Sequence, residues 1–220
     1  MARSPEKPAP EKSAPEKLAA ASPRFVLIAI TLAGLLLLAT GVLLALAYRD
    51  APKGVAGGVL ASAIGGPFRL TDQNGKPFTE ANLQGKWHLV FFGYTHCPDT
   101  CPTTLNELAL ALDKLGAKKS QVDIVLISVD PERDTPEILK SYVASFDAPI
   151  VALTGSADEV KQAAKAYRVY YAKHPRADGN YDMDHSAVIY IIDPQGRFTA
   201  TLTPDAPADT MAQRLEKLLS

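Results

Sequence analysis

Hydrophobic and polar positions divide the 220-residue chain into four zones. Residues 1–24 repeat the tripeptide Pro-Glu-Lys and have almost no apolar surface to bury, so they predict a disordered cytoplasmic tail. Residues 25–47 carry no charge, and as a helix they are long enough to cross a hydrocarbon core of about 30 Å. They predict a transmembrane anchor. The glycine-rich residues 48–66 predict a flexible tether, and residues 67–220 predict a folded domain.

Charges on either side of the apolar segment predict its orientation. Five Lys or Arg residues precede it, whereas only Arg49 and Lys53 follow it before Arg69. The positive-inside rule then predicts a single-pass protein of the cell inner membrane, with its domain on the periplasmic side. A cleavable signal peptide is the alternative, because Ala45-Leu46-Ala47 resembles a cleavage site. The apolar region of such a peptide normally spans only about 7–15 residues, which favours the anchor.

In the folded domain, short apolar runs alternate with segments of helical periodicity. The pattern predicts strands near 68–70, 78, 87–94, 122–129, 150–153, 186–192 and 198–202, and helices over 102–118, 135–146, 156–167 and 208–219. Strands that alternate with helices imply a mostly parallel sheet with helices on both faces. The late antiparallel hairpin makes the sheet mixed. We therefore expect an α/β, thioredoxin-like fold: a mixed central sheet flanked by helices, preceded by an N-terminal hairpin and the single transmembrane helix.

Composition excludes several classes of function. The net charge of -1 argues against a nucleic-acid partner, and without the tail the chain has 18 cations against 21 acids. Two cysteines cannot make a disulfide scaffold, a four-thiolate iron–sulfur site or a four-cysteine zinc finger. The compartment predicted for the domain is oxidising, so a pair of reduced thiols there needs a special reason.

Both cysteines lie where the strand at 87–94 gives way to the next helix, in the segment Cys97-Pro98-Asp99-Thr100-Cys101. The N-terminus of a helix lowers the pKa of a thiol, and a helical turn would place both sulfurs on one face. Such a pair can form a disulfide or bind one soft metal ion. Thioredoxin-type catalysts have two residues between their cysteines. The three residues here favour the metal, although a disulfide stays geometrically feasible.

The four histidines of the chain are the candidates for a third ligand of the metal ion. His88 lies in an apolar strand and is interpreted as structural, His96 points away if the loop is tight, and His174 falls in a polar, mobile surface loop. In a thioredoxin-like sheet, the loop before the late hairpin faces the cysteine loop, and His185 lies there. Two thiolates and one imidazole suit Cu(I) or Cu(II), whereas zinc would want a fourth ligand. Met183 is a weak additional candidate, but packing is its commoner role.

Four segments of the chain resemble the Sco/SenC family over roughly residues 64–219. They are Ile64–Leu70, Cys97–Pro102, Ser128–Pro136 and Asp184–Ser186. The resemblance implies a membrane-tethered copper chaperone with a thioredoxin-like fold that serves the copper A centre of cytochrome c oxidase. It also implies that Cys97, Cys101 and His185 are the copper ligands.

The resemblance further implies the partners of the protein. They are the copper A-bearing subunit of the oxidase, a thiol reductant or copper donor protein, and the lipid bilayer through residues 25–47. We expect a metallochaperone rather than an enzyme. The alternative is a thiol-disulfide oxidoreductase that keeps oxidase cysteines reduced for metallation, and a peroxidase is a third class that only the fold supports. The segment Asp130–Pro136 is either a capped helix start or a surface that meets a partner.

Overall fold

The computed structural model describes Arg24, Leu32, residues 34–43 and residues 64–220. Two compact units divide the chain, Met1–Ala61 and Ser62–Ser220. In the first unit, residues 34–43 are helical and exposed. No helix within the described residues combines the length and the apolar character of a membrane span. Most of the segments predicted as tail, anchor and tether lie outside the described residues, so those three assignments stay predictions.

The second unit contains nine strands and four helices among its described residues. The strands are β1 (Arg69–Asp72), β2 (Pro77–Thr79), β3 (Trp87–Gly93), β4 (Val122–Ser128), β5 (Ile150–Thr154), β6 (Tyr171–Pro175), β7 (Tyr181–His185), β8 (Ile189–Ile192) and β9 (Phe198–Leu202). The helices are α1 (Thr100–Lys114), α2 (Pro136–Val143), α3 (Ala157–Tyr167) and α4 (Ala208–Leu218).

Seven of these strands form one mixed sheet in the order β2-β1-β5-β4-β3-β8-β9. The pairs β3–β4 and β4–β5 are parallel, and the outer pairs are antiparallel. The central strands β3 and β4 are apolar and buried along almost their whole length, as strands covered on both faces are. The mixed α/β sheet expected from the sequence is thereby confirmed, including its N-terminal and late hairpins.

Helix α1 shows how local sequence sets an element. Leu105, Leu108 and Leu112 recur at helical spacing and are fully or almost fully buried. Its start is two residues earlier than predicted, at Thr100. Its end is four residues earlier, because Gly116 adopts a left-handed backbone conformation with φ of 57° and a 3₁₀ turn follows.

The main departure from the predicted elements is a second, two-stranded sheet made by β6 and β7. Of the polar stretch 173–180, predicted as a mobile loop, residues 173–175 belong to β6 and residues 176–180 form the turn between the two strands. Residue 185 was expected to lead into the late strand, but it ends β7 opposite Tyr171, and β8 begins only at Ile189. Most residues of the hairpin are exposed, so no apolar run marks it, and the alternation of exposed and less exposed residues in β7 spans five residues only.

Candidate metal centre

The two cysteines occupy the junction between β3 and α1, with different exposure. Cys97 lies on the connecting loop and is half-buried, whereas Cys101 lies in the first turn of α1 and is fully buried. The backbone N–H of Cys101 donates a hydrogen bond to Cys97 Sγ over 3.3 Å. Gly93, at the end of β3, leaves room for the buried sulfur, because a β-carbon there would lie 3.0 Å from Cys101 Sγ.

His185 faces this pair from the end of β7. Its Nε2 lies 3.5 Å from Cys101 Sγ, and its Nδ1 lies 3.3 Å from the backbone oxygen of Ser186. A carbonyl oxygen can only accept, so this second contact requires the proton on Nδ1 and leaves Nε2 with a free lone pair in the neutral ring. The edges and faces of Phe91 and Tyr94 pack against the imidazole. The ring is therefore presented to the sulfurs through Nε2.

The ligand atoms of Cys97, Cys101 and His185 all lie within 4.8 Å of one another. Metal bonds to cysteine sulfur and histidine nitrogen measure about 2.0–2.3 Å, so two ligands of one ion are at most about 4.6 Å apart. Three ligands spread evenly around one ion lie about 4 Å apart, so a contraction of at most about 1 Å would bring the three atoms around a single ion. Two sulfurs and one nitrogen form the donor set that copper accepts at low coordination number. These residues therefore fit a copper ion.

The protons of the two thiols are distributed unequally. A hydrogen bond from the Cys101 side chain, with further ones from the backbone amides of Cys101 and Asp99, lowers the pKa of Cys97 to about 4, although burial opposes the shift. The same hydrogen bond to Cys97, together with burial, raises the pKa of Cys101. These shifts favour the thiolate at Cys97 and the protonated thiol at Cys101 in the metal-free site.

An open cleft of about 280 Å³ leads to the site. Cys97 and His185 both line it, whereas Cys101 lies behind them. Two acidic residues, Asp99 and Asp184, are among the residues that line it. The full lining consists of Tyr94, Cys97, Pro98, Asp99, Thr100, Met183, Asp184, His185 and Ala187.

The other histidines lie apart from the three-residue cluster. His88 is buried in β3, with Nε2 at 4.0 Å from an Asp123 carboxylate oxygen. His96 is exposed, and its Nδ1 contacts the Thr95 hydroxyl at 3.1 Å. His174 is on the exposed side of the β6–β7 hairpin, where it pairs with Asp184 at 2.8 Å.

Asp134 is a supporting residue that sequence reasoning missed. It is fully buried, and its two carboxylate oxygens accept hydrogen bonds from the Thr95 hydroxyl at 2.6 Å, the Thr95 backbone N–H at 3.1 Å and the Ser128 hydroxyl at 2.5 Å. Thr95 lies two residues before Cys97. The carboxylate therefore fastens the cysteine loop to the end of β4. The local sequence gives no signal for this role, because the partner Thr95 lies 39 residues away in the chain.

Comparisons with known proteins agree with this geometry. The family model described as SCO1/SenC matches residues 58–220. A structure of Bradyrhizobium japonicum ScoI with copper bound is 48% identical, with a TM-score of 0.66, and the match covers 70% of this chain and 99% of that one. "Protein SCO1 homolog 1, mitochondrial" of Arabidopsis thaliana is 45% identical over 158 residues, which is 71% of this chain and 47% of the relative.

A third relative bears on the cellular role of such proteins. BsSco, described as a member of the Sco family of cytochrome c oxidase assembly proteins in which a disulfide switch was identified, is 25% identical, with a TM-score of 0.57. That match covers 72% of this chain and 94% of BsSco. The chain spans about half the length of the first curated relatives that it matches. Copper is bound in solved relatives, and Cys97, Cys101 and His185 form a candidate copper site here.

Proposed function

The chain belongs to the SCO1/SenC family, and on that premise we propose that it is a membrane-tethered protein that delivers copper, or helps to insert it, into the copper A centre of cytochrome c oxidase. The observation that carries the proposal is the convergence of two thiol sulfurs and one imidazole nitrogen within 4.8 Å. Copper is the cargo of this site. The protein acts as a metallochaperone, without catalytic turnover.

Each proposed ligand has a distinct protonation step. Cys97 binds as the thiolate that its hydrogen bonds favour. Cys101 loses its proton on binding, and His185 binds as a neutral imidazole through Nε2. Because all three ligands must be deprotonated, copper affinity falls as the pH is lowered. Both Cu(I) and Cu(II) suit this donor set.

The open cleft supports transfer to a partner. Cys97 and His185 line it and Cys101 does not, so an incoming ligand reaches the exposed side of the site first. The proposed recipient is the copper A-bearing subunit of the oxidase. A disulfide between Cys97 and Cys101 would remove both thiolates, so a thiol reductant must keep them reduced, and a donor protein supplies the copper.

Residues 25–47 are proposed as the anchor, because 23 uncharged residues in a row are long enough to span a bilayer. The cations that precede them support a cytoplasmic tail and a periplasmic domain. Protease added to spheroplasts should then digest residues 67–220 and spare the tail. Digestion of residues 67–220 that occurs only after the inner membrane is broken would show the opposite topology, with the domain in the cytoplasm.

Copper titration of the reduced full chain in detergent, without oxygen, tests the central proposal. We expect one ion per chain in the wild type, none bound stoichiometrically in Cys97→Ala, and weaker binding in His185→Ala. His174→Ala is the matched control, since His174 lies on the same hairpin as His185 but outside the cluster. Stoichiometric binding that survives Cys97→Ala would refute the proposal.

The unequal thiols favour one second candidate, a thiol-disulfide oxidoreductase that reduces oxidase cysteines. The Cys97 thiolate would attack a disulfide of the substrate and release one thiolate. Cys101 would then lose its proton and attack the Cys97 sulfur, which releases the second substrate thiol and leaves a Cys97–Cys101 disulfide. Two electrons pass to the substrate. This activity needs both cysteines but not His185, so full oxidase assembly in a His185→Ala strain would favour it over copper delivery.

A further inference from the structure

The segment between β4 and α2, residues Asp130–Asp134, contacts both halves of the candidate metal site. We call this segment the bracket. Both of its aspartates are buried, with 3% and 0% of their surfaces exposed. Two backbone hydrogen bonds, from the N–H groups of Arg133 and Asp134 to the Asp130 carbonyl, close it into a tight turn. Its two ends can therefore act as one rigid unit.

One end of the bracket holds the cysteine loop. Asp134 accepts both hydrogen bonds that Thr95 offers, from its hydroxyl at 2.6 Å and from its backbone N–H at 3.1 Å. The Ser128 hydroxyl donates to the same carboxylate and accepts from the Asp130 backbone N–H at 3.0 Å. The loop that carries Cys97 is thereby tied to the end of β4.

The other end holds the hairpin that carries His185. Tyr181, the first residue of β7, donates its hydroxyl proton to Asp130 Oδ1 over 2.7 Å. Arg133 forms an ion pair with the same Asp130 through Nε, and its Nη1 donates to the Tyr181 backbone oxygen at 3.1 Å and to Asn180 Oδ1 at 3.2 Å. The guanidinium also stacks over the Tyr181 ring, 3.8 Å from its centroid.

These contacts matter because the β6–β7 hairpin is a separate sheet with no strand pairing to the seven-stranded sheet. An isolated two-stranded hairpin is marginally stable, so its position depends on its tertiary contacts. The ion pair that also links it to the bracket, Lys173–Glu132, is exposed on both sides. Exposed pairs contribute little, whereas the side chains of Arg133 and Asp130 are only 17% and 3% exposed, so their contacts are largely shielded from water.

We propose that the bracket sets the distance between His185 and the two cysteines, and that Arg133 and Tyr181 are positioning residues for copper binding. The proposal deepens the proposed copper function and rests on it. Arg133 and Tyr181 touch no candidate ligand in the contacts above, and they act by fixing where β7 runs. From the sequence, Asp130–Pro136 was either a capped helix start or a surface that meets a partner. The proposal adds a third role, which lies inside the molecule.

Copper affinity of the reduced full chain in detergent, measured by competition with a chelator, tests the proposal through a double-mutant cycle. Loss of groups that orient metal ligands typically weakens metal binding about 10- to 100-fold, and we expect this range for Arg133→Ala. Tyr181→Phe, which removes a single hydroxyl group and should fold, is expected to weaken binding in the same direction. Arg176→Ala is the matched control. It removes an arginine from the β6–β7 hairpin itself, and the ion pairs of this arginine are exposed.

The decisive comparison is made in the His185→Ala background. If Arg133 acts through His185, Arg133→Ala weakens binding no further there, and it leaves the alkylation rate of Cys97 unchanged. An equal loss of affinity in both backgrounds overturns the proposal, as does wild-type affinity in both Arg133→Ala and Tyr181→Phe.

A metal-free measurement separates failure of the bracket from failure of the copper function. Backbone amides of β6 and β7 should exchange with solvent faster in Arg133→Ala than in the wild type or Arg176→Ala. Absence of copper binding in the wild type would refute the copper function, and unchanged amide exchange would refute the bracket.

Discussion

A methyl group added at Gly93 would probe the packing around the buried thiol of the metal site. The β-carbon of Gly93→Ala would lie 3.0 Å from Cys101 Sγ, 3.1 Å from Phe91 Cε1 and 3.3 Å from Leu126 Cδ1. Favourable non-bonded contacts of carbon fall at about 3.5–4.0 Å. All three neighbours are fully buried, so none can move into open solvent. Gly93 itself has ordinary strand backbone, and the expected effect is therefore steric.

Overpacking of a well-packed core typically costs about 1–3 kcal/mol, and we expect Gly93→Ala to lower the free energy of unfolding within that range. Urea unfolding followed by fluorescence measures the change, because Trp87 is the single tryptophan and is the first residue of β3. Copper affinity should fall in parallel, since the sulfur that yields to the methyl group is a proposed ligand.

The Cys101→Ala background provides the control for this prediction. Removal of the sulfur empties the volume that the new methyl group enters, so Gly93→Ala should cost clearly less there than in the wild type. A destabilisation of equal size in both backgrounds would show that the sulfur is not what limits the space, and it would refute the steric reasoning.

Two further predictions concern protons. Iodoacetamide should alkylate Cys97 of the copper-free chain at a nearly constant rate down to about pH 5, because the thiolate is the reactive form. The alkylation should become slower as the pH falls towards the Cys97 pKa of about 4. A rate that already drops below pH 9, as for an ordinary thiol, would contradict this prediction. Burial lowers the pKa of His88 in the folded chain. Below about pH 6.5 the unfolded chain therefore binds a proton at this histidine that the folded chain does not bind. The free energy of unfolding is lost as the pH falls through that value. His88→Phe should reduce the loss of urea resistance between pH 7.5 and 5.5, whereas His174→Phe, at an exposed site, should not.

The central sheet was predictable because three of its strands are continuous runs of apolar residues. Strands β3, β4 and β8 are apolar along almost their whole length, and turn residues bound the two antiparallel hairpins. The β6–β7 hairpin escaped prediction because its residues are mostly exposed. Only Met183 on it is buried, so it presents no apolar run. Strand β7 alternates between exposed aspartates and less exposed residues, but over five residues only, and β6 shows no alternation.

The three residues of the candidate site were predictable from the sequence, whereas the residues that support them were not. The spacing of Cys97 and Cys101 indicates a paired site, and the topology of a thioredoxin-like sheet places His185 opposite them. In the structure, His185 ends a strand of the small sheet instead of leading into β8. Asp134 and Asp130 act through Thr95 and Tyr181, which lie 39 and 51 residues away. Nothing in the local sequence shows which way a buried carboxylate points, so such pairings require coordinates.

The two thiols alone do not decide between metal binding and disulfide chemistry. A lowered pKa at Cys97 and a protonated, buried Cys101 are what a nucleophile and its resolving thiol need, and thiolates are equally what copper needs. The imidazole makes the difference, because it supplies a third donor atom that disulfide exchange does not use. Among the strands that the structure describes, His185 belongs to a two-stranded sheet that is not paired with the central strands. The choice of chemistry at this site therefore depends on what holds the β6–β7 hairpin against the cysteine loop, as well as on the cysteines themselves.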